Sequence, residues 1–264
     1  MGKKETIPSI RAAKGTKKLV MVTAYDALFA SLLAEHADML LVGDSLNMSF
    51  LGEPDTLSAT LDQMIYHTRA VCAGAPESFV VCDMPFGTLN TPEDALNNAV
   101  RVFRETRADA IKVEGGKERA EIIAHLTRNA VPVMGHVGLM PQFVRGEGGY
   151  RVQGRDEESF QKVLRDARAI ESAGAFALVV EGVTPALGRA VSEAVSIPVI
   201  GIGAGPDTDG QVLVWSDMLG FFEAFKPKFV KRYLEGGKLV REAMARYARE
   251  VREGGFPDED HCYR

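Results

Sequence analysis

Charged residues stand at the ends of short, wholly apolar runs, and this placement restricts the fold more than any other feature of the chain. Met39-Leu40-Leu41-Val42 leads straight into Gly43-Asp44-Ser45, Val80-Val81-Cys82 closes on Asp83, and Leu178-Val179-Val180 closes on Glu181. Ala110-Ile111-Lys112-Val113-Glu114 carries two charges. A short apolar run without alternation marks a parallel strand covered on both faces. A carboxylate fits where such a strand leaves the core. Successive strands that end in acids therefore describe a ring of carboxylates on one face of a sheet or barrel, and that ring is the candidate site.

The stretches between these runs read as helices. Tyr25-Asp26 opens one that reaches about His36. Thr60 and Gln63 form a capping box for the next, which Gly74-Ala75-Pro76 ends. Thr91-Pro92-Glu93-Asp94 combines an N-cap, a proline at the first helical position and acids in the first turn. Further helices are expected over about 117–129 and 156–173 and after Thr184-Pro185, and strands at 18–23, 39–45, 79–83, 110–114, 131–136, 175–181, 197–202 and 212–214. Strands separated by helical stretches of about 10 to 15 residues give right-handed βαβ units and a parallel sheet. The chain has 264 residues, close to the roughly 250 typical of a (β/α)8 TIM barrel. The expected fold is thus α/β, a single barrel domain over 1–264 with a short polar N-terminal extension, residues 1–17. Near the end Val240, Met244, Tyr247 and Val251 recur at helical spacing before Gly254-Gly255.

Composition narrows the partners. A formal net charge of −5 argues against nucleic acid or an anionic membrane surface and for small molecules. Cys72, Cys82 and Cys262 show no metal-type spacing, and their odd number suggests reduced thiols in a cytoplasmic protein. No apolar run reaches the length of about 18 residues that a membrane span needs.

Lys112 and Glu114 are two apart on one strand, so they share a face, which in a helix-covered barrel is the interior. Such a pair is either functional or a buried ion pair that fixes packing. Asp44 and Asp83 end neighbouring strands; close together, they would raise one another's pKa unless a cation lies between them. With Glu114 they form an all-oxygen set suited to Mg²⁺, which keeps water and substrate as further ligands; the alternative is that they cap nearby backbone amides. Ser45 could donate to a substrate carboxylate or cap the next helix. Glu181, after three apolar residues, has surroundings that push a carboxyl toward the range of a general base. His136 suits either positioning or catalysis. Residues 137–155 hold five glycines and are long enough to be a lid. Ile200-Gly201-Ile202-Gly203-Ala204-Gly205 would suit either a phosphate cradle or close backbone approach.

Several of these segments, with their neighbours, resemble the ketopantoate hydroxymethyltransferase family. They are Val42-Gly43-Asp44-Ser45, Tyr66-His67-Thr68-Arg69-Ala70-Val71, Asp83-Met84-Pro85-Phe86, Lys112-Val113-Glu114-Gly115-Gly116, Gly135-His136-Val137-Gly138-Leu139, Gly149 to Arg155 and Ile200 to Gly205. The likeness runs from about Val22 to the Phe256-Pro257-Asp258-Glu259-Asp260-His261 tail. It implies a barrel of the phosphoenolpyruvate/pyruvate group, a Mg²⁺ ion and a cytoplasmic homo-oligomer, commonly a decamer. It also implies transfer of a hydroxymethyl group from 5,10-methylenetetrahydrofolate to 3-methyl-2-oxobutanoate, toward pantothenate. By the same resemblance Asp44 and Asp83 would bind the metal, with Glu114 joining directly or through water. Ser45, Asp83 and Lys112 would contact the keto acid, Asp44 and His136 would line the same pocket, and Glu181 would accept the proton. The chain departs from the family pattern at Asn47, Glu53-Pro54, Leu57-Ser58-Ala59-Thr60 and Arg104 to Asp109, none of which is assigned a role.

Two rival readings remain. A Mg²⁺-dependent C–C lyase of the same barrel group would need its own acid, often a Cys in a Gly-rich loop, and residues 137–155 contain no Cys. A non-catalytic barrel that binds a phosphorylated ligand rests on the 200–205 glycines and leaves the carboxylate ring without a purpose.

Overall fold

Strands β1 (Leu19–Thr23), β2 (Met39–Val42), β3 (Phe79–Asp83), β4 (Ala110–Glu114), β5 (Val133–Gly138), β6 (Ala177–Glu181), β7 (Val199–Ile202) and β8 (Gly210–Leu213) pair in sequence order. All pairs are parallel, and β8 returns to β1, so the sheet closes as the alternation of apolar runs and helices predicts. The computed structural model describes residues 4–223 and 226–263. The chain forms two compact units, one ending at Val214 and one running from Trp215.

In the first unit the helices are α1 (Ile7–Ala12), α2 (Ala27–Leu33), α3 (Leu46–Phe50), α4 (Leu61–Gly74), α5 (Pro92–Glu105), α6 (Ala120–Arg128), α7 (Glu157–Ser172) and α8 (Pro185–Ala194). Their starts follow from local chemistry. Thr60 and Gln63 exchange the two bonds of a capping box, Thr91 accepts from the Asp94 amide just ahead of Pro92, and Asp156 accepts from the Ser159 amide. Each side-chain acceptor satisfies an amide that the first turn leaves without a partner.

Register decides which side chains fill the barrel. Met21 pairs with Met39, Met39 with Phe79, Asp83 with Lys112, Glu114 with His136, Gly138 with Glu181, and Ile200 with Gly210. Parallel partners point the same way, so one inward set is defined round the ring. Its lower part is apolar: Leu19, Met21, Met39, Leu41, Phe79, Val81, Ala110, Met134, Ala177, Val179, Ile200 and Val212 form one core cluster. Ile10 and Ala13, from α1 and its C-cap, join that cluster. Residues 1–17 are therefore more than a polar extension: α1 brings a fully buried isoleucine to the barrel interior. The upper part of the same set is charged.

Strand ends differ from expectation where a turn takes over. β2 stops at Val42, so Asp44 and Ser45 lie in the turn before α3, and β5 runs on past His136 to Gly138. β8 begins at Gly210 rather than at Val212.

The second unit contains α9 (Trp215–Met218) and α10 (Gly236–Glu253). Gly254 ends α10 with φ +73°, the left-handed cap that glycine adopts without a Cβ clash. Val240, Met244, Tyr247 and Val251 share one face of α10 as the spacing predicts, and all four are exposed. No helix among the described residues is long and apolar enough to cross a membrane.

Candidate active site

The upper inward residues meet at the C-terminal mouth of the barrel. Lys112 Nζ stands 2.8 Å from Asp83 Oδ1 and 3.2 Å from His136 Nδ1. His136 Nδ1 is 3.4 Å from Glu114 Oε2, and its Nε2 is 3.3 Å from Glu181 Oε2. Asp44 enters from the turn after β2, where its backbone N–H donates to Asp83 Oδ2 at 3.2 Å. Asp44, Asp83, Lys112, Glu114 and His136 are all buried, whereas the Glu181 side chain is 20% exposed. Glu181 is the acid of this cluster that an incoming molecule can reach. It faces the His136 imidazole and not the wholly apolar wall expected from its strand.

Ser45 borders the same mouth. Its Oγ lies 2.7 Å from the hydroxyl of Tyr25, and Tyr25 is fully buried. The Phe50 ring packs edge-on to Tyr25 at 5.4 Å.

Electrostatics follow from this crowding. Burial, then the charges of Asp83 and Glu114, push the Asp44 carboxyl well above the usual range, against the pull of Lys112 and a Gln142 hydrogen bond. Burial opposes a charge on Lys112, but Asp83, Glu114 and Asp44 outweigh it and hold the ammonium more firmly protonated than usual. Burial and Lys112 also oppose a charge on His136; Glu114 and Glu181 prevail and lift its pKa to about 9. Four carboxyl groups thus crowd round Lys112 and His136. The carboxyls of Asp83 and Glu114 oppose the ionisation of Asp44, and a cation bound among them would favour it.

One residue of the cluster is not evident in the sequence. Pro141–Phe143 form a 3-10 turn in the segment after β5, and the Gln142 N–H, which has no partner within that turn, donates to Glu114 Oε1 at 2.7 Å. The Gln142 side-chain amide donates to Asp44 Oδ2 at 2.9 Å and to the Met84 carbonyl at 3.0 Å. A carbonyl cannot donate, so the Met84 contact fixes which end of the amide is nitrogen. A glutamine straight after Met140-Pro141 within a segment read as a lid was the available signal.

The carboxylates adjoin without forming a ready-made cage. Among the described residues, no three Asp, Glu, His or Cys side chains stand where all could hold one ion. Asp44 lies on a turn beside Asp83, while Glu114 is drawn toward Gln142 and His136. The set still suits a hard cation chemically. Its donors are carboxylate oxygens, and Glu114 Oε2 is buried without a hydrogen-bond partner. Cys82, one strand position from Asp83, is buried, and burial first of all pushes its thiol up to about 12, so it supplies no nucleophile.

The sequence model of the ketopantoate hydroxymethyltransferase family matches residues 4–259. The chain belongs to that family. It is 60% identical over 260 residues to the 3-methyl-2-oxobutanoate hydroxymethyltransferase of Aliarcobacter butzleri, covering 98% of this chain and 97% of that one. It is 59% identical to the enzyme of the same name from Nitratiruptor, with each chain covered in full. Among solved structures it is similar to phosphonopyruvate hydrolase, with a TM-score of 0.64 at 14% identity over 98% of this chain and 92% of that one. It is also similar to 2,3-dimethylmalate lyase, of the PEP mutase/isocitrate lyase superfamily, with a TM-score of 0.62 at 17% identity over the same shares. These two likenesses extend to the fold.

As a ketopantoate hydroxymethyltransferase family member, the chain carries one of its departures from the family pattern, Asn47, in a supporting position. Asn47 is fully buried, and its amide donates to the Asp55 carbonyl and to Ser58 Oγ, both at 2.9 Å, which ties the segment after α3 to itself. Gly201 and Gly205 of the 200–205 run serve close packing. A Cβ on Gly201 would meet Thr208 Oγ1 at 2.8 Å, and one on Gly205, at φ +81°, would meet Pro185 Cβ at 2.8 Å.

Proposed function

We propose that this protein transfers a hydroxymethyl group from 5,10-methylenetetrahydrofolate to 3-methyl-2-oxobutanoate, giving 2-dehydropantoate on the route to pantothenate. The observation that carries the reading is the contact between His136 and Glu181: a reachable carboxylate, held by an imidazole, beside a buried group of acids and one lysine. Glu181 takes the proton from the carbon next to the keto group. His136, whose Nε2 stands 3.3 Å from Glu181 Oε2, orients it for that transfer. The freed carbon then bonds to the one-carbon unit, water supplies the hydroxyl oxygen as the carbon–nitrogen bonds to the folate break, and tetrahydrofolate leaves with its nitrogens reprotonated.

Ser45 donates its hydroxyl proton to the keto acid, and Tyr25, bonded to the same oxygen, sets its direction. Lys112 offsets negative charge that develops on the substrate oxygens, and Asp83 holds Lys112 in place. Asp44 and Asp83, with Glu114 directly or through water, are the residues that would hold Mg²⁺, an ion that takes a few carboxylates and keeps the rest of its shell for water and substrate. When bound it supplies Lewis-acid polarisation of the keto acid. The family likeness further supports a cytoplasmic homo-oligomer, by resemblance a decamer.

The test is formation of 2-dehydropantoate from the two substrates, with Mg²⁺ and with chelator, by wild type and Glu181→Gln. Product should appear only with the metal and should fall by at least about 10² in the variant. Wild type that makes no product with the metal present overturns the function, and an undiminished variant overturns the role of Glu181.

A further inference from the structure

Gln142 makes more polar contacts to the acid cluster than its position in a glycine-rich connection would lead one to expect. It is buried, and each of its three N–H bonds has an acceptor: Glu114 Oε1 for the backbone, Asp44 Oδ2 and the Met84 carbonyl for the side chain. These acceptors come from the ends of β4, β2 and β3. A single residue of the β5 connection thus bridges three neighbouring strand ends. The far end of the same connection is tied elsewhere, since the Gln153 N–H donates to the Gly182 carbonyl and the Gln153 carbonyl accepts from Thr184 N–H. Between these anchors, Arg145 reaches Asp55 at 3.4 Å and is otherwise exposed. The segment is therefore held at Gln142, at Gln153 and, weakly, at its middle.

We propose that Gln142 is a positioning residue that fixes the Asp44 and Glu114 carboxylates for a divalent cation and, through the same bonds, latches residues 139–152 down over the mouth. The inference rests on the reading of the acid cluster as a cation site. Its physical basis is the geometry of the bonds. An amide on Oδ2 of Asp44 leaves that residue's other oxygen for an ion, and an amide on Oε1 of Glu114 leaves Oε2, whose neighbour is His136 Nδ1 at 3.4 Å, to turn toward one. Hydrogen bonds to a carboxylate are stronger than those between neutral groups, and these two limit the freedom of both side chains before any ion arrives. Preorganised ligands bind tighter because the ordering cost has already been met.

The experiment uses Gln142→Met, which keeps side-chain volume and the backbone donor but removes the amide, and Gln142→Ala. Titration of the full-length protein with Mg²⁺ followed by calorimetry, without either substrate, should show affinity lowered about tenfold or more in both variants, with a single cooperative thermal transition confirming that metal-free Gln142→Met is folded. Trypsin should cut after Arg145 or Arg151 faster in the variants than in wild type. Wild-type affinity and wild-type cleavage in Gln142→Met overturn the proposal. If wild type itself binds no dication, the cation-site reading falls and the positioning half of the proposal with it, and the latch stands or falls on the trypsin rates alone.

Discussion

Lys112 and Asp83 are register partners on adjacent parallel strands, and their charged ends meet at 2.8 Å inside the barrel. The lysine is the only permanent cation among the cluster residues, with Asp44, Asp83 and Glu114 all pulling on it. Removing one partner of a buried pair leaves the other charges uncompensated, which costs about 3–5 kcal/mol. Lys112→Met should therefore lower unfolding stability by about that amount in urea with chelator present. If the acids hold a dication, saturating Mg²⁺ should recover part of the loss, because a ligand bound to the folded state at 100 times its Kd contributes about 2.7 kcal/mol. Equal losses with and without Mg²⁺ would speak against a cation among these acids.

Ser45 presents one hydroxyl to the mouth and shares it with Tyr25 at 2.7 Å. A hydrogen bond to a charged substrate group contributes about 1.5–3 kcal/mol, equally in the ground and transition states when the group does not react. Ser45→Ala should raise KM for the keto acid about tenfold or more and leave kcat within about threefold. Tyr25→Phe should show a smaller shift of the same kind. A fall in kcat at unchanged KM would instead assign Ser45 to the reacting atoms.

The barrel and most of its charged mouth were legible because both depend on short-range patterns. Apolar runs ending in acids located the strands, and the two-residue spacing of Lys112 and Glu114 gave their common inward face, which the structure has. What stayed hidden depends on contacts between distant segments. Gln142 lies 98 residues from Asp44, whose carboxylate it holds, and no local spacing encodes that pairing. The burial of Ile10 was obscured by its polar neighbours, since one isoleucine in a charged lead-in has no periodicity to show. Glu181 ends its strand as expected, yet its neighbour is set by register with the β5 strand, not by the apolar residues before it.

Ile10 gives the N-terminal helix a measurable role. It is fully buried and belongs to the barrel's lower core cluster. Truncating a buried Ile costs about 2–5 kcal/mol, depending on how far the cavity collapses. Ile10→Ala should lower stability in that range while the kcat of the folded protein stays near wild type, because the charged mouth lies at the opposite ends of the strands. A large loss of kcat at full folding would show that α1 also governs the site.

Asp209 supplies the pH dependence of the same region. Its carboxylate accepts from Lys14 Nζ at 2.8 Å, Gly15 N–H at 3.1 Å, Ser192 Oγ at 3.1 Å and Val199 N–H at 2.9 Å, joining the segment after α1 to α8, β7 and the start of β8. Burial works against the charge, but Lys14 and the Val199 and Gly15 amides outweigh it and hold the carboxyl below its usual range. A carboxyl lowered in the folded state binds its proton more readily when the chain is unfolded. The stabilisation it provides is complete above the ordinary carboxylate range and is lost as pH falls through the lowered folded value. Asp209→Asn should cost about 1–3 kcal/mol at neutral pH, and the gap to wild type should close on acidification below about 4, the ordinary carboxyl pKa. Urea unfolding of both proteins across that acid range measures the gap directly. A difference that holds constant down to the acid limit would mean that the loss comes from packing and that the Asp209 charge contributes nothing to the anchoring of the N-terminal segment.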